Sequence, residues 1–322
     1  MNRTVAVAAS GGRDSTALLH ATARQAQPLG IDVIALHVHH GLMPEADAWA
    51  EQVRSQARRL RVAFACERLE GQPARGDSVE AWARRERYAA LAAMARASGC
   101  GLVLLAQHRR DQAETFLIQA LRGGGAAGLA AMPKVVEREG ITWARPWLGC
   151  PREAIDAYLR RHRLRAAEDP SNADRRFARG RLRALWPALH AAFPDAEPTL
   201  ARAAQRAADD AALVAEVAAA DLAALDCAGA AMPVPAWLGL SQPRRVAVLR
   251  LWLGSVMPPP VPETLVRRLM DELPGHSDGR HGRWHAGQGD LVLKRGLLAI
   301  AAAAPRRSAA GAASTARAAG RP

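Results

Sequence analysis

The stretch AVAASGGRDSTALLHA, residues 6–21, joins a short apolar run to a segment with the composition of a helix. The apolar run ends at Ser10, and Gly11 and Gly12 follow it directly. Two glycines at such a junction let successive backbone N–H groups point into one concavity, and a helix from about Ser15 adds the positive end of its dipole. We therefore predict a phosphate-binding turn made by Ser10, Gly11, Gly12, Arg13, Asp14 and Ser15.

This turn differs from the common nucleotide-binding fingerprints. It has neither the G-x-x-x-x-G-K-[ST] pattern nor the G-x-G-x-x-G pattern. The hydroxyls of Ser10 and Ser15 can donate hydrogen bonds to phosphate, and Asp14 can hold a Mg²⁺ that shields phosphate oxygens. Taken alone, the hexapeptide is also compatible with an ordinary glycine-rich connection between a strand and a helix.

Apolar runs and amphipathic segments alternate over the first half of the chain. Strands are predicted at 4–9, 31–40, 62–69 and 101–108, and helices at 15–26, 44–60, 78–97 and from about 111. This alternation predicts an α/β domain with a doubly wound parallel sheet, in which ligands bind beyond the carboxyl ends of the strands. Four polar residues fall at those ends: Ser10, His39, His40 and His108.

The pattern changes near residue 190. A long Ala-rich helical segment covers 197–226, further helices are expected at 242–254 and 262–272, and a hairpin is expected at 282–300. We therefore predict a catalytic domain at 1–190 and a second, mainly helical domain at 191–300. The basic, low-complexity tail at 301–322 is expected to be disordered.

The chain carries 44 Lys and Arg residues against 31 Asp and Glu, for a net charge of +13. A base bias of the genome would explain the choice of Arg over Lys, but not the excess of positive over negative residues. This excess favours a nucleic acid as partner ahead of an anionic membrane. No apolar run is long enough to span a bilayer, so a cytoplasmic protein is expected. The four cysteines form no C-x-x-C pair, which disfavours a zinc cluster or a disulfide framework.

The segment SGGRDS resembles the PP-loop of ATP pyrophosphatases, and residues 4–190 are similar to the tRNA(Ile)-lysidine synthetase family. Residues 190–300 resemble the substrate-binding domain of that family more loosely, and we expect the further C-terminal subdomain of longer members to be absent. The matching blocks are HVHHGLMPEADAWAE (37–51), EAWARRERYAAL (80–91), AQHRRDQAETFLIQALRGGGAAGLAAM (106–132), RPWL (145–148) and EDPSNADRRFARGRLRALWPAL (168–189).

The resemblance implies a specific reaction. ATP adenylates the C2 carbonyl oxygen of the wobble cytidine in an isoleucine tRNA with a CAU anticodon, releasing pyrophosphate. The side-chain amine of free L-lysine then displaces AMP to give lysidine. ATP and Mg²⁺ are the implied cofactors, and both a monomer and a homodimer remain open.

Specific residues take roles through this resemblance. Asp111 and Glu114 are three apart where a helix begins, hence on one face near its positive end, and we expect them to bind Mg²⁺ or the lysine amine. A simple helix-terminal charge pair is the alternative. His39 and His40 are expected to shape the adenosine pocket rather than to bind a metal. The expected catalytic set is Asp14, Arg87, Asp111, Glu114 and Arg179, with Asp14 and Asp111 as metal ligands.

The chain departs from the family pattern at two positions. Arg110 stands where the family usually has the first of two adjacent acids, which leaves more of the metal role to Asp111. If Arg110 instead contacts a phosphate, its positive charge would favour phosphate binding. Gly180 stands where the family commonly has Asn, so hydrogen bonding beside Arg179 is expected to differ.

Two other functions compete with lysidine formation. A different PP-loop enzyme, such as a tRNA cytidine thiolase, would typically carry paired cysteines, which are absent here. A non-catalytic RNA-binding homologue is disfavoured by the complete Ser10–Ser15 turn and favoured by Arg110.

Overall fold

A computed structural model describes residues 4–41, 45–71, 79–167, 174–227, 231–257, 261–276, 281–286 and 289–301. The chain divides into two compact units, Met1–Ala211 and Ala212–Pro322. This division does not test the domain boundary that we predict near residue 190, which therefore stays a prediction. Among the residues described, no helix has the length and apolarity needed to cross a bilayer.

The first unit is built on a six-stranded sheet with the order β3-β2-β1-β4-β6-β5. All neighbouring strands are parallel except β5 and β6, which pair antiparallel at one edge. The predicted doubly wound parallel sheet is thus confirmed. The strands are β1 (Thr4–Ala8), β2 (Asp32–His39), β3 (Ala63–Arg68), β4 (Leu102–Leu104), β5 (Val135–Arg138) and β6 (Ile141–Ala144).

Helices cover both faces of this sheet. On one face Val7 of β1 packs with Leu19 and Val53, and on the other Ala6 packs with Leu91 and Ala95. Successive residues of a strand point to opposite faces, so an apolar β1 can serve both cores. The helices of the unit are α1 (Arg13–Ala26), α2 (Ala46–Leu60), α3 (Val79–Ala97), α4 (Arg109–Leu121), α5 (Ala126–Leu129), α6 (Arg152–Arg161), α7 (Ala178–Ala192) and the start of α8 (Ala196–Ala224).

The order of the strands places a switch point between β1 and β4. From β1 the chain moves outward through β2 and β3, and it then returns to form β4 on the other side of β1. Connections on the two sides of such a point diverge and leave a crevice at the carboxyl edge. The turn after β1 and the segment after β4 both lie at this edge.

Two boundaries differ from the predicted ones. Helix α1 begins at Arg13 rather than near Ser15, because Gly12 is already its N-cap. Strand β4 ends at Leu104, where its pairing with β6 ends, so His108 is the N-cap of α4 instead of the last residue of a strand.

The second unit contains the rest of α8, the predicted helices and a small antiparallel sheet of order β7-β10-β9-β8. The expected hairpin is a three-stranded meander, since a turn at Arg295 and Gly296 adds a further strand. The elements are α9 (Val234–Leu238), α10 (Gln242–Val256), α11 (Glu263–Glu272), β7 (Met232–Pro233), β8 (Gly282–His285), β9 (Asp290–Lys294) and β10 (Leu297–Ile300). From residue 302 onward, the predicted disordered tail lies outside the described residues.

Candidate active site

The glycine-rich turn closes through its two serines. The Oγ atoms of Ser10 and Ser15 lie 3.1 Å apart, the Gly12 N–H donates to Ser10 Oγ at 3.3 Å, and Ser15 Oγ donates to the Gly12 carbonyl at 3.0 Å. Gly11 adopts a positive φ of 85°, a conformation that costs glycine little. The turn therefore leads directly into α1, and its amides lie beside the positive end of that helix.

Neighbouring segments fix the turn from behind. The Gly11 carbonyl accepts hydrogen bonds from Thr16 Oγ1 at 3.2 Å and from the Ala167 N–H at 2.9 Å. A Cβ at Gly11 would lie 3.3 Å from Cγ2 of Val53, closer than most real contacts. The shape of the cradle therefore depends on a glycine at this position.

Arg13 and Asp14 follow the turn on the first residues of α1. Arg13 Nη1 lies 3.2 Å from Asp156 Oδ1 on α6, and Arg13 Nε lies 3.5 Å from Asp14 Oδ1. That Asp14 oxygen is buried and accepts no hydrogen bond from any described residue. Asp14 thus presents an unsatisfied acceptor at the crevice.

His108 connects Asp14 to α4. Its Nδ1 accepts a hydrogen bond from the Arg110 N–H at 3.2 Å, so in the neutral ring the proton is on Nε2. Nε2 lies 3.5 Å from Asp111 Oδ2 and 3.8 Å from Asp14 Oδ2. Sequence reasoning placed His108 at the sheet edge but not in the site. The signal for its role is Asp111 three residues later, as in a capping box.

Glu114 is the most buried acid of the site, with its side chain 1% exposed. Arg183 Nε donates to its two oxygens at 3.0 and 3.3 Å, and Arg179 Nε lies 3.4 Å from Oε2. Burial raises the pKa of Glu114, and Arg183 is the main group opposing that rise. Arg183 also lies 3.5 Å from Asp111, so the two predicted acids share one guanidinium.

Arg183 was missed by sequence reasoning. It is four residues after Arg179 on α7, and this spacing puts both side chains on one helix face. Arg179 additionally donates to Thr115 Oγ1 at 3.0 Å. The structure therefore brings Asp14, Asp111, Glu114 and Arg179 into one cluster, with His108 and Arg183 as further members.

Arg87 of α3 is half-buried, and within the described residues no ion pair joins it to an acid. Burial lowers the pKa of its guanidinium, the nearby charges of Arg84 and Arg179 lower it further, and Tyr88 opposes them. Among the described residues, no carboxylate contributes to this balance. An anion bound near Arg87 and Arg179 would relieve the repulsion between them.

His39 is connected to a different set of residues. Its Nε2 lies 3.1 Å from Asp47 Oδ1, and its Nδ1 accepts the Gly41 N–H at 3.2 Å. Both ring nitrogens of His39 are therefore engaged by other groups of the protein. His40 follows as a half-buried residue at the end of β2.

The two departures from the family pattern have local explanations. Arg110 Nε donates to Glu197 Oε2 at 2.6 Å, so its guanidinium pairs with the first turn of α8. A Cβ at Gly180 would overlap the carbonyl oxygen of Asp174. A larger residue there would force the turn at Asp174 or the start of α7 to shift, because the backbone of that turn passes close to Gly180.

The donor set suits Mg²⁺ bound together with phosphate. Within the described ranges, no group of three or more His, Cys, Asp or Glu side chains converges as a complete metal site. Mg²⁺ commonly takes one or two carboxylates and completes its shell with water and phosphate oxygens. Asp14 Oδ1, which is buried and accepts no hydrogen bond from the described residues, fits that requirement together with Asp111 across His108.

Comparison with known proteins identifies both parts of the chain. Residues 1–189 match the family described as the PP-loop domain, and residues 232–298 match the TilS substrate binding domain. A tRNA(Ile)-lysidine synthase from Ralstonia nicotianae is 47% identical over 254 residues, which cover 78% of this chain and 54% of that protein. Those from Bordetella bronchiseptica and Bordetella pertussis are 43% identical over 88% of this chain, which spans 86% and 92% of their lengths.

A solved structure shares the fold at much lower identity. The U34-tRNA thiolase NcsA from Methanococcus maripaludis, with its [4Fe-4S] cluster, matches with a TM-score of 0.55 and 14% identity. The match covers 64% of this chain and 71% of that one. It supports the fold alone.

Proposed function

The chain belongs to the tRNA(Ile)-lysidine synthase family, and we propose that it joins free L-lysine to C2 of the wobble cytidine in the isoleucine tRNA with a CAU anticodon. The products are lysidine, AMP and pyrophosphate, formed through an adenylated cytidine. The observation that carries this proposal is the single cluster that connects the phosphate turn, through His108, to Asp111 and Glu114.

The phosphate turn binds ATP. The amides of Gly11 and Gly12, the hydroxyls of Ser10 and Ser15 and the helix dipole face the triphosphate, and Arg13 adds charge at the same place. Asp14 and Asp111 would hold a Mg²⁺, whose positive charge would shield the phosphate oxygens of ATP. His39 and His40 shape the adenosine pocket.

Glu114 and Asp111 receive the lysine side chain. Its ammonium has a pKa of about 10.4 in water, so it must lose a proton before it can attack. A carboxylate with a raised pKa is a better base than an ordinary one, which favours Glu114 for this transfer. Arg179 and Arg183 keep the two acids in place.

Arg87 and Arg179 hold the anionic groups near the cytidine. Their guanidinium groups suit the phosphate of the adenylated base. The cytidine must leave the stack of the anticodon loop to reach them. The exposed Arg175 and Arg176, just before α7, and Arg181 on its first turn are the arginines that we propose contact the tRNA backbone.

The decisive experiment is ATP-dependent incorporation of labelled lysine into this tRNA. The same tRNA with uridine at the wobble position is the matched control, and we expect incorporation only with cytidine. Pyrophosphate release on another substrate without lysine incorporation would favour a different PP-loop enzyme. Binding of tRNA with no ATP use would favour a non-catalytic homologue.

A further inference from the structure

Two arginines at the start of α4 converge on one buried acid. Arg110 Nε donates to Glu197 Oε2 at 2.6 Å, and Arg109 Nε donates to Oε1 at 2.9 Å. Glu197 is on the first turn of α8 and is 5% exposed. Burial acts to raise the pKa of Glu197, but its bonds to Arg110 and Arg109 outweigh it and lower the pKa. Glu197 is therefore ionised and fully paired.

Arg110 also contacts α7. The carbon at the centre of its guanidinium lies 4.3 Å from the ring centroid of Trp186, which is 4% exposed. A guanidinium over a tryptophan face gains a cation–π interaction that strengthens when water is excluded. Trp186 is on the same helix as Arg179 and Arg183, the partners of Glu114. One side chain thus connects α4, α7 and α8.

The backbone of Arg110 is fixed as well. Its backbone N–H donates to His108 Nδ1. The next residue is Asp111, and its Oδ2 accepts a hydrogen bond from the backbone N–H of His108 at 3.0 Å. A movement of Arg110 would therefore disturb the first turn of α4, which carries Asp111, and through it the second turn, which carries Glu114. Displacements of about 1 Å at such groups can cost about a hundredfold in rate.

We propose that Arg110 is a positioning residue, which uses Glu197 and Trp186 to hold Asp111 and Glu114 in the geometry that binds the lysine amine. This role rests on the proposed lysidine-forming function. In this role Arg110 needs no contact with ATP or with any other phosphate. Glu197, which is distant in sequence, is part of the same positioning arrangement because it accepts the hydrogen bond from Arg110.

The competing role is direct contact with substrate. An Arg110 bound to a phosphate of ATP would act independently of Glu197, and its loss would mainly raise the KM for ATP. An Arg110 that acts through Glu197 predicts losses that are shared between the two residues. A double-mutant cycle separates these cases.

The test compares Arg110→Met, Glu197→Gln and the double variant in lysine incorporation, with separate KM values for lysine and ATP. We expect each single change to raise the KM for lysine by about tenfold. The KM for ATP should rise by a smaller factor, because Asp111 also belongs to the proposed Mg²⁺ site while Asp14 and the phosphate turn do not depend on Arg110. The double variant should lose no more than the worse single one. Arg110→Lys, which keeps the charge but not the planar group over Trp186, should recover part of the loss.

Arg202→Met on the exposed surface of α8 is the matched control and should behave like the unchanged protein. Melting temperatures of all variants show whether they fold. Additive losses, a rise in the KM for ATP alone, or lower stability with unchanged kinetics would each overturn the positioning role. If the protein without any substitution incorporates no lysine, the proposed function is wrong, and this role of Arg110 is wrong with it.

Discussion

Nε2 of His108, the N-cap of α4, lies 3.5 Å from Oδ2 of Asp111 on the first turn of that helix. The same nitrogen lies 3.8 Å from Asp14 on α1, while Nδ1 caps α4 through the Arg110 N–H. His108 therefore has two separable tasks, one for each ring nitrogen. One keeps the helix start in place, and the other lies between the carboxylates of Asp14 and Asp111, at 3.8 and 3.5 Å.

His108→Asn should separate these tasks. The Asn side chain can still accept the α4 N–H as an N-cap but does not reach the two carboxylates, so we expect near-normal stability and a large loss of lysine incorporation. His108→Ala should lose activity and, in addition, about 1 kcal/mol of the free energy of unfolding. Urea unfolding and the incorporation assay measure the two effects. Full activity in His108→Asn would contradict the bridging role.

Asp14→Ala should abolish ATP use while tRNA binding survives. Removing the carboxylate removes the proposed Mg²⁺ ligand, and we expect pyrophosphate release to fall by at least about a hundredfold. Asp32→Ala is the control, since Asp32 is exposed at the opposite end of the sheet. Pyrophosphate release and a gel-shift assay with tRNA check the two halves of the prediction. Persistent pyrophosphate release in Asp14→Ala would argue against the metal role.

Gly11→Ala and Gly30→Ala form a matched pair. Both glycines have positive φ, 85° and 62°, so each change should cost about 1 kcal/mol in the free energy of unfolding. Only Gly11 has a close neighbour, Val53, and only Gly11 faces the proposed triphosphate. The KM for ATP should therefore rise in Gly11→Ala and stay unchanged in Gly30→Ala. Equal KM values in the two variants would remove the turn from the ATP site.

The fold was predictable because its signals are local. The first four strands and the helices that follow them are each marked by their own apolar pattern, and the Ser10–Ser15 turn by its glycines. Strands β5 and β6 and helices α5 to α7 were not predicted. The end of β4 was not predictable in this way, since it depends on where β6 stops pairing, nearly forty residues later in the chain.

The site was predictable only in part, for the same reason. Asp111 and Glu114 could be predicted as site residues from their spacing at the start of a helix. Arg183 and Glu197 do not, because their partners Glu114 and Arg110 are 69 and 87 residues away in sequence. The requirement for Gly180 likewise follows from the path of the Asp174 backbone, which no local pattern reveals.

The same substitution at Gly180 and Gly254 should have opposite effects on stability. A Cβ at Gly180 meets the backbone of Asp174, so Gly180→Ala should lose about 2 kcal/mol or more. Gly254 is exposed within α10 and has nothing within 4 Å, so Gly254→Ala should gain about 0.5–1 kcal/mol from helix propensity. Urea unfolding of both variants provides the measurement. A neutral Gly180→Ala would show that the turn at Asp174 can move away.

Removing the guanidinium that opposes the burial of Glu114 should change the pH dependence of the enzyme. Burial raises the pKa of Glu114 above its usual 4.5 and Arg183 opposes this, so Arg183→Met should raise that pKa further. We propose that the ionised carboxylate binds the lysine amine, and kcat/KM for lysine therefore falls as pH drops through this pKa. The acidic limb of the pH profile should therefore move to higher pH in Arg183→Met.

Stability gives an independent check with a definite sign. Because the folded-state pKa of Glu114 is raised, the stability associated with this group is fully present below pH 4.5 and is lost as pH rises through the folded-state pKa. Arg183→Met should therefore lose more of its free energy of unfolding at pH 7 than at pH 4. Arg206→Met on exposed α8 is the control and should lose the same small amount at both values. An equal loss at both pH values in Arg183→Met would mean that Arg183 does not govern the ionisation of Glu114.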